Sequence, residues 1–309
     1  MKKQKLLIIS NCQGPALFGR FIRPGAPSFE SKWDWLGSVE VHKIQAADAG
    51  KIIERIEQAD VICTQPIQNS SLEEVKIESL RDHATKRGKR LVVFPALHFD
   101  ALFFAHAPRS SEWGKDYPFG ATEDAVILAC YLSGMDVKET QRVFHEVPLS
   151  TAEALGLALA VNVQQFHDRE QKFRTDIRIS DFYADWALKK RLHYIKSHPT
   201  AEVYREMAIR LCGQLEMGDF VLERVIDARG NDQFSLPVKG WVKSSLKADF
   251  TDDPEMANFE NKPVPFGEVI KKLHQFYSHQ PRESLLRAVG DSVPHRLRAA
   301  GVAPLLHVG

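Results

Sequence analysis

A short apolar run, Leu6-Leu7-Ile8-Ile9, stops abruptly at Ser10-Asn11-Cys12-Gln13-Gly14-Pro15. Large aliphatic residues in an unbroken row read as a strand buried on both faces, as at the centre of a parallel sheet. Pro15 suits the first turn of a helix, where a missing N–H costs nothing. The chain therefore opens with a strand, a tight turn and a helix, the start of an α/β layer structure.

The pattern then repeats. Residues 39–44 (VEVHKI) alternate and predict a second strand, and Ala49, Ile52, Ile53 and Ile56 fall at helical spacing within 46–58. Asp60-Val61-Ile62-Cys63-Thr64 predicts a third strand ending at Gln65-Pro66. A helix is expected over 72–87, and a fourth strand in Arg90-Leu91-Val92-Val93-Phe94, ending at Pro95. Such alternation argues for a parallel sheet with helices on its faces. Ligands gather at the carboxyl ends of strands in these sheets. That makes Asn11-Cys12-Gln13, Thr64-Gln65-Pro66 and Pro95-Ala96-Leu97-His98 functional candidates.

From residue 121 helical periodicity dominates, over 121–134, 136–146, 150–170, 181–196 and 199–217. Asp136 and Ser150 are expected N-caps, with Glu139 and Glu153 as capping-box partners. Gly, Pro, Asp and Asn run through 229–267, which predicts an irregular wrap or lid, and helices over 267–279 and 281–289 close the chain. The expected organisation is an α/β core over 1–120, a helical part over 121–228 packed on it, and a wrap with terminal helices over 229–309. All three are expected to form one continuous globular unit.

Composition excludes several functions. Lys and Arg number 41 against 40 Asp and Glu, a formal charge of +1. A balance so close to neutral does not suit a generic nucleic-acid binder. No apolar run approaches the ~20 residues of a transmembrane helix. The basic start, Lys2, Lys3 and Lys5, precedes an apolar stretch shorter than the ~7–15 residues of a signal peptide, so a cytoplasmic location is expected. Cys12, Cys63, Cys130 and Cys212 lie too far apart for a zinc ribbon or a thioredoxin-like pair. His98, Asp100 and His106 fit neither a strand face nor a helix face, and no metal site is expected. Gly290-Asp291-Ser292 looks like an esterase nucleophile box. A helix tail precedes it instead of a strand, so Gly290 reads as a C-cap and Ser292-Val293-Pro294 as the next turn.

Cys12 is the chief candidate. At a strand-to-helix turn it lies near unpaired N–H groups and the positive end of a helix, which favour a thiolate. The alternative is an inert buried thiol. Gln65 ends the third strand on the same edge and could donate to an oxyanion, or could serve as a loop amide. His198, in Lys196-Ser197-His198-Pro199-Thr200, could serve as a base if the fold brings it to the thiol. No glycine-rich phosphate loop of Rossmann or Walker type is present.

These motifs carry two resemblances. Ser10-Asn11-Cys12, Val61-Ile62-Cys63-Thr64-Gln65 and His198-Pro199 stand where the SGNH/GDSL hydrolase superfamily has Gly-Asp-Ser, Gly-x-Asn-Asp and the end of Asp-x-x-His. Here Cys replaces Ser, Gln replaces Asn, and Ile195 takes the place of the Asp. More closely, Asn11-Cys12-Gln13-Gly14, Asp60 to Pro66, Phe94-Pro95 and Ser197-His198-Pro199, in that order, resemble the WcbI-type capsular polysaccharide biosynthesis family over about the first 220 residues. The resemblance implies an SGNH-like α/β core, coenzyme A binding and sugar O-acetylation from acetyl-CoA, acting on a sugar or polysaccharide acceptor and in a capsule synthesis complex. On that reading Cys12 is the nucleophile and His198 the base. The Cys12 and Gln13 N–H groups with the Gln65 amide form the oxyanion hole, Asp181 is the third member, and Arg20, Arg23 and His98 face the coenzyme. The rival expectations are a cysteine esterase or deacetylase on the same scaffold, and a non-catalytic coenzyme A- or glycan-binding component.

Overall fold

The computed structural model describes residues 2–114, 116–120 and 122–302. Residue 121 and residues 303–309, the edges of two expected segments, lie outside them. The chain divides into two compact units. The first comprises Met1–His98, Val163–Ala184 and His198–Asn231; the second comprises Phe99–Asn162, Asp185–Ser197 and the chain from Asp232 onward. These divisions cut across residues 120 and 228, because apolar faces choose their packing partners by complementarity rather than by nearness in sequence.

The first unit is α/β. Its parallel sheet has the order β2-β1-β3-β4, formed by β1 (Gln4–Ser10), β2 (Trp33–Glu40), β3 (Val61–Thr64) and β4 (Arg90–Val93). Leu6, Leu7, Ile8 and Ile9 have no exposed surface, as a central strand covered on both faces requires. Leu7 and Ile9 point into a cluster with Val39, Ile62, and Ile52 and Ile56 of the helix Ala49–Gln58. From β1 the chain crosses to β2 on one side and later to β3 on the other. The sheet therefore has its topological switch point at the carboxyl ends of β1 and β3, where an α/β sheet leaves a crevice.

The second strand lies earlier than the sequence predicted. It runs Trp33–Glu40, and Val41–Lys43 forms a 3-10 turn. The alternation is broken where the register slips between Leu6 and Ile8, at Gly37 with φ +90°. A bulge inserts one residue and hides the period-2 pattern. Likewise, residues 122–124 form a strand before the helix Ala125–Leu132, and the helix expected over 181–196 covers Ser180–Trp186, followed by the strand His193–Ile195. Asp136 caps its helix by accepting from the Glu139 N–H, as expected. The next cap is Thr151, not Ser150: its hydroxyl accepts from Ala154 N–H at the start of Ala152–Lys172.

The second unit holds the antiparallel pair His106–Pro108 and Thr122–Asp124 and a three-stranded antiparallel sheet. That sheet is made of Phe234–Ser235, Met256–Phe259 and Lys262–Pro265. Together with the helix Gly240–Leu246, these strands give regular structure to the 229–267 segment that the sequence left irregular. Gly290, at φ +60°, ends the helix Arg282–Val289, and a new helix starts at Ser292. In the interior Asp124 accepts from Val126 and Ile127 N–H, meets His106 at 3.0 Å and is paired with Lys239. Burial raises the Asp124 pKa, but Lys239 and then His106 outweigh it and hold the carboxyl low, at about 2. Among the described residues no helix is long and apolar enough to cross a membrane.

Candidate active site

Cys12 sits at the β1 end with helical backbone angles, φ −60° and ψ −14°, and heads the short helix Gln13–Ala16. It is exposed, whereas Cys63, Cys130 and Cys212 are buried. The turn around it is tied down on every side. Ser10 Oγ donates to Asn11 O, Asn11 Oδ1 accepts from Gln13 N–H at 2.8 Å, and Asn11 N–H donates to Gln65 Oε1 at 3.0 Å. Gly14 cannot carry a side chain here. A Cβ would lie 1.9 Å from Ser10 Oγ and 2.7 Å from Ser10 Cβ.

Two of the three groups expected in the oxyanion hole, the Gln13 N–H and the Gln65 amide, have partners inside the protein. Gln13 is buried; its Nε2 donates to Leu97 O at 2.7 Å and its Oε1 accepts from Leu97 N–H at 3.0 Å. Gln65 is buried as well, and its Nε2 donates to Gln13 Oε1 at 3.0 Å and toward Pro95 O at 3.5 Å. With Gln13 N–H bound to Asn11, the Gln13 N–H and the Gln65 amide are both bonded inside the protein. They stitch the ends of β1, β3 and β4 together instead of facing a ligand, because a buried amide must find partners where it lies.

Three other residues also take different places. Asp181 bonds Arg210 at 2.6 Å, a largely exposed pair on the helix surface. Arg23 bonds Glu30 at 2.6 Å and lies 4.4 Å from the Trp35 ring. Arg20, in contrast, donates to Gly230 O at 2.9 Å and Arg229 O at 3.4 Å, and so pins a late segment against the turn.

That segment supplies a residue the sequence did not signal. Asn231 Nδ2 lies 4.0 Å from Cys12 Sγ, while Asn231 N–H donates to Pro199 O at 3.1 Å. The Asn231 carboxamide is thus held between the thiol and the short strand His198–Pro199. Gly230 permits the close approach, since a Cβ there would come within 2.5 Å of Pro199 O. Of the expected residues, Cys12, Arg20 and the His198-Pro199 strand are tied into one neighbourhood by Asn231. An Asn more than two hundred residues from its partner, in a Gly-Asn-Asp loop, carries no local signal.

Electrostatics correct one further expectation. Desolvation by the surrounding protein, and then the Glu40 carboxylate at the end of β2, push the Cys12 thiol up from its usual range; the Cys12 backbone N–H and then Lys43 oppose them without cancelling the rise. The resting group is a thiol, so chemistry at Cys12 needs a base. Behind it, Tyr204 is fully buried, stacks on Phe21 at 5.2 Å, and keeps a hydroxyl with no hydrogen-bond partner. Burial raises its pKa well above the usual range, and Cys12 adds to that rise.

His98 lines a second feature on this edge, a cavity of about 260 Å³ over the ends of β3 and β4. Arg169, Asn69 and Gln68 share the lining.

Comparison with known proteins identifies the family. The family model described as polysaccharide biosynthesis enzyme WcbI matches residues 5–219. The chain belongs to the WcbI family of polysaccharide biosynthesis enzymes. A solved structure of WcbI aligns over 97% of this chain and 99% of its own, with a TM-score of 0.76 and 18% identity. At that identity the likeness is one of fold. That structure is described as the native form without a disulfide bond between coenzyme A and a cysteine. A search of curated proteins found no match. The matched residues include Cys12, Gln65 and His198, whereas Asn231 lies past the end of the family match.

Proposed function

We propose that this WcbI-family chain is an O-acetyltransferase of capsular polysaccharide synthesis, moving an acetyl group from acetyl-CoA to a sugar hydroxyl at Cys12. The observation that carries this reading is the exposed thiol at the sheet's switch point with the Asn231 amide 4.0 Å away. A nucleophile and a hydrogen-bond donor at that spacing suit an acyl group, whose carbon meets the sulfur and whose oxygen meets the donor. The structurally similar WcbI is described with reference to a disulfide between coenzyme A and a cysteine, absent from that native form, and this mention of the two together supports placing the coenzyme at Cys12.

The residues present fit the coenzyme. Cys12 is exposed to a thioester, and Arg20 holds Gly230 O through one nitrogen of a guanidinium that has five N–H donors. The Lys43 ammonium, paired with Glu40 at 2.9 Å, acts electrostatically on the thiol. Arg20 and Lys43 would hold the phosphates, and the thioester supplies the acetyl group.

The chemistry proceeds in two balanced steps. His198 takes the proton of Cys12 Sγ as the sulfur attacks the thioester carbonyl; a new C–S bond forms, the old one breaks, and the departing thiol takes the proton. His198 then accepts the proton of a sugar hydroxyl as its oxygen attacks the acetyl-cysteine. The ester forms, the C–S bond to Cys12 breaks, and the Cys12 thiol recovers its proton. Asn231 Nδ2 donates to the carbonyl oxygen in both steps. Such a donor is worth about 10²–10³ in rate in other acyl-transfer sites.

Thermal-shift titration with coenzyme A, acetyl-CoA and ATP tests the reading, with intact-mass analysis of the acetylated protein. Ligand at 100 times its dissociation constant adds about 2.7 kcal/mol of apparent stability. A shift with both coenzyme forms and not ATP, with an acetyl adduct lost in Cys12→Ala, is the expected result. No shift at millimolar coenzyme A overturns it.

A further inference from the structure

The cavity beside the cysteine has chemistry of its own. Its wall runs Pro66, Pro95, Ala96 and His98 at the ends of β3 and β4, and Phe166, Arg169, Phe173 and Thr175 close it from the other side. The two prolines, Ala96 and the two phenyl rings make apolar surface. Gln68, Asn69 and Thr175 add neutral hydrogen-bonding groups, and the charged chemistry is Arg169 with the imidazole of His98. Among the described residues no carboxylate lines it.

Three features define what fits. At about 260 Å³ the cavity falls just below the ~300–1,000 Å³ of pockets for drug-sized ligands, so it holds one ring and not a whole coenzyme. The Arg169 guanidinium lies 4.7 Å from the Phe166 ring centre, a cation–π contact that positions it at the cavity wall, and a guanidinium suits a two-point carboxylate partner. The Thr175 hydroxyl is buried without a hydrogen-bond partner, a cost that a ligand hydroxyl would remove.

The cavity also sits at the correct reach. Its Pro95–His98 wall is bonded to Gln13, the residue after Cys12, through both the Leu97 N–H and the Leu97 C=O. Neighbouring strands lie about 4.8 Å apart, so the ends of β3 and β4 stand roughly 5–10 Å from the β1 end that carries Cys12. One pyranose ring spans that distance.

We propose that this cavity is the acceptor subsite and that it takes a single pyranose unit bearing a carboxylate, a uronate, with Arg169 as the carboxylate's partner. The proposal rests on the reading that the chain transfers an acyl group to a sugar. The apolar wall covers one face of the ring. Asn69, Gln68 and Thr175 meet its hydroxyls, and one hydroxyl is directed toward Cys12.

The test is calorimetric titration of the full chain with methyl glucuronide, methyl glucoside as the uncharged control, and coenzyme A separately. A charge-assisted bidentate pair predicts glucuronide binding about tenfold or more tighter than glucoside. Arg169→Gln should erase that preference while coenzyme A affinity stays within about twofold. Arg169→Lys, which keeps charge but not the fork, should lose most of it and guards against misfolding of the first variant. Equal binding of the two glycosides, or an unchanged preference in both variants, overturns the proposal. If coenzyme A displaces the glucuronide and Arg169→Gln weakens both alike, the cavity belongs to the coenzyme: the proposal falls and the function reading stands. If the glucuronide binds as expected and coenzyme A does not bind at all, the subsite stands and the acetyl-CoA reading falls.

Discussion

Asn231 touches the turn at the β1 end twice over, through its carboxamide at 4.0 Å from Cys12 Sγ and through its N–H at 3.1 Å from Pro199 O on the strand beside it. The backbone bond anchors the main chain of Asn231 beside the thiol, so the amide starts within reach of Cys12 before any ligand arrives. Such preorganisation is what makes a donor useful to developing charge. Replacing Asn231 with Ala should lower acetyl transfer about 10²-fold with coenzyme A affinity nearly unchanged, as measured by kcat beside calorimetry. Equal losses in both would make Asn231 a binding residue.

The thiol's environment makes a pH prediction with a definite sign. Because desolvation by the protein around the accessible sulfur, and then Glu40, raise the Cys12 pKa, alkylation by iodoacetamide should be slow at pH 7 and climb to a midpoint above the ordinary cysteine range. Glu40→Gln removes a negative charge, lowers that midpoint and speeds labelling at pH 7.5. Cys130 and Cys212, buried and pushed up to about 12, should stay unlabelled in the folded protein at pH 9.5.

Gln13 holds three strand ends together, so its loss should be felt as stability. Gln13→Ala strands the Leu97 N–H and C=O and removes the acceptor for Gln65 Nε2. Each buried polar group left without a partner costs about 1–3 kcal/mol. A drop of about 3 kcal/mol or more in urea unfolding is expected. A change below 1 kcal/mol would show that water replaces these bonds.

Glu123 gives the second unit a pH-dependent stability. Burial pushes its carboxyl up to about 8, although Tyr277 donates to it at 2.6 Å. Between the unfolded value near 4.5 and about 8 the folded chain keeps a proton that the unfolded chain has lost. Its stabilising effect is therefore full below pH 4.5 and is lost as pH rises through 8. Glu123→Gln should match the parent melting temperature at pH 5 and exceed it at pH 9.

Asp181 makes a contrasting case. Its bond to Arg210 is exposed, and pairs of this kind contribute about 0–1 kcal/mol. Asp181→Asn should leave both melting temperature and transfer rate within error, which an activity assay beside a thermal melt will check.

How much of this was written in the chain can be judged element by element. The aliphatic row at Leu6–Ile9 dictates a buried central strand, and the break at Asn11-Cys12-Gln13-Gly14 dictates a turn at its carboxyl end. The period-2 and period-3.6 patterns then fix a parallel α/β layer, and the order of short motifs points to the family. These features are local, and backbone geometry with side-chain burial acts on neighbours within a few residues. The tertiary structure alone decided where each polar group finds its partner. Gln65 and Gln13 looked like donors to a ligand, but the fold seats each beside a buried backbone group that must be satisfied first. Cys12 looked poised as a thiolate at a helix start; desolvation and Glu40, brought in by the neighbouring strand, outweigh that local effect. Asn231 had no signal at all, because its meaning depends on Arg20 and Pro199 closing a loop more than two hundred residues long. A hydrogen bond and a Coulomb interaction depend on distance in space, and that distance exists only once the chain has folded.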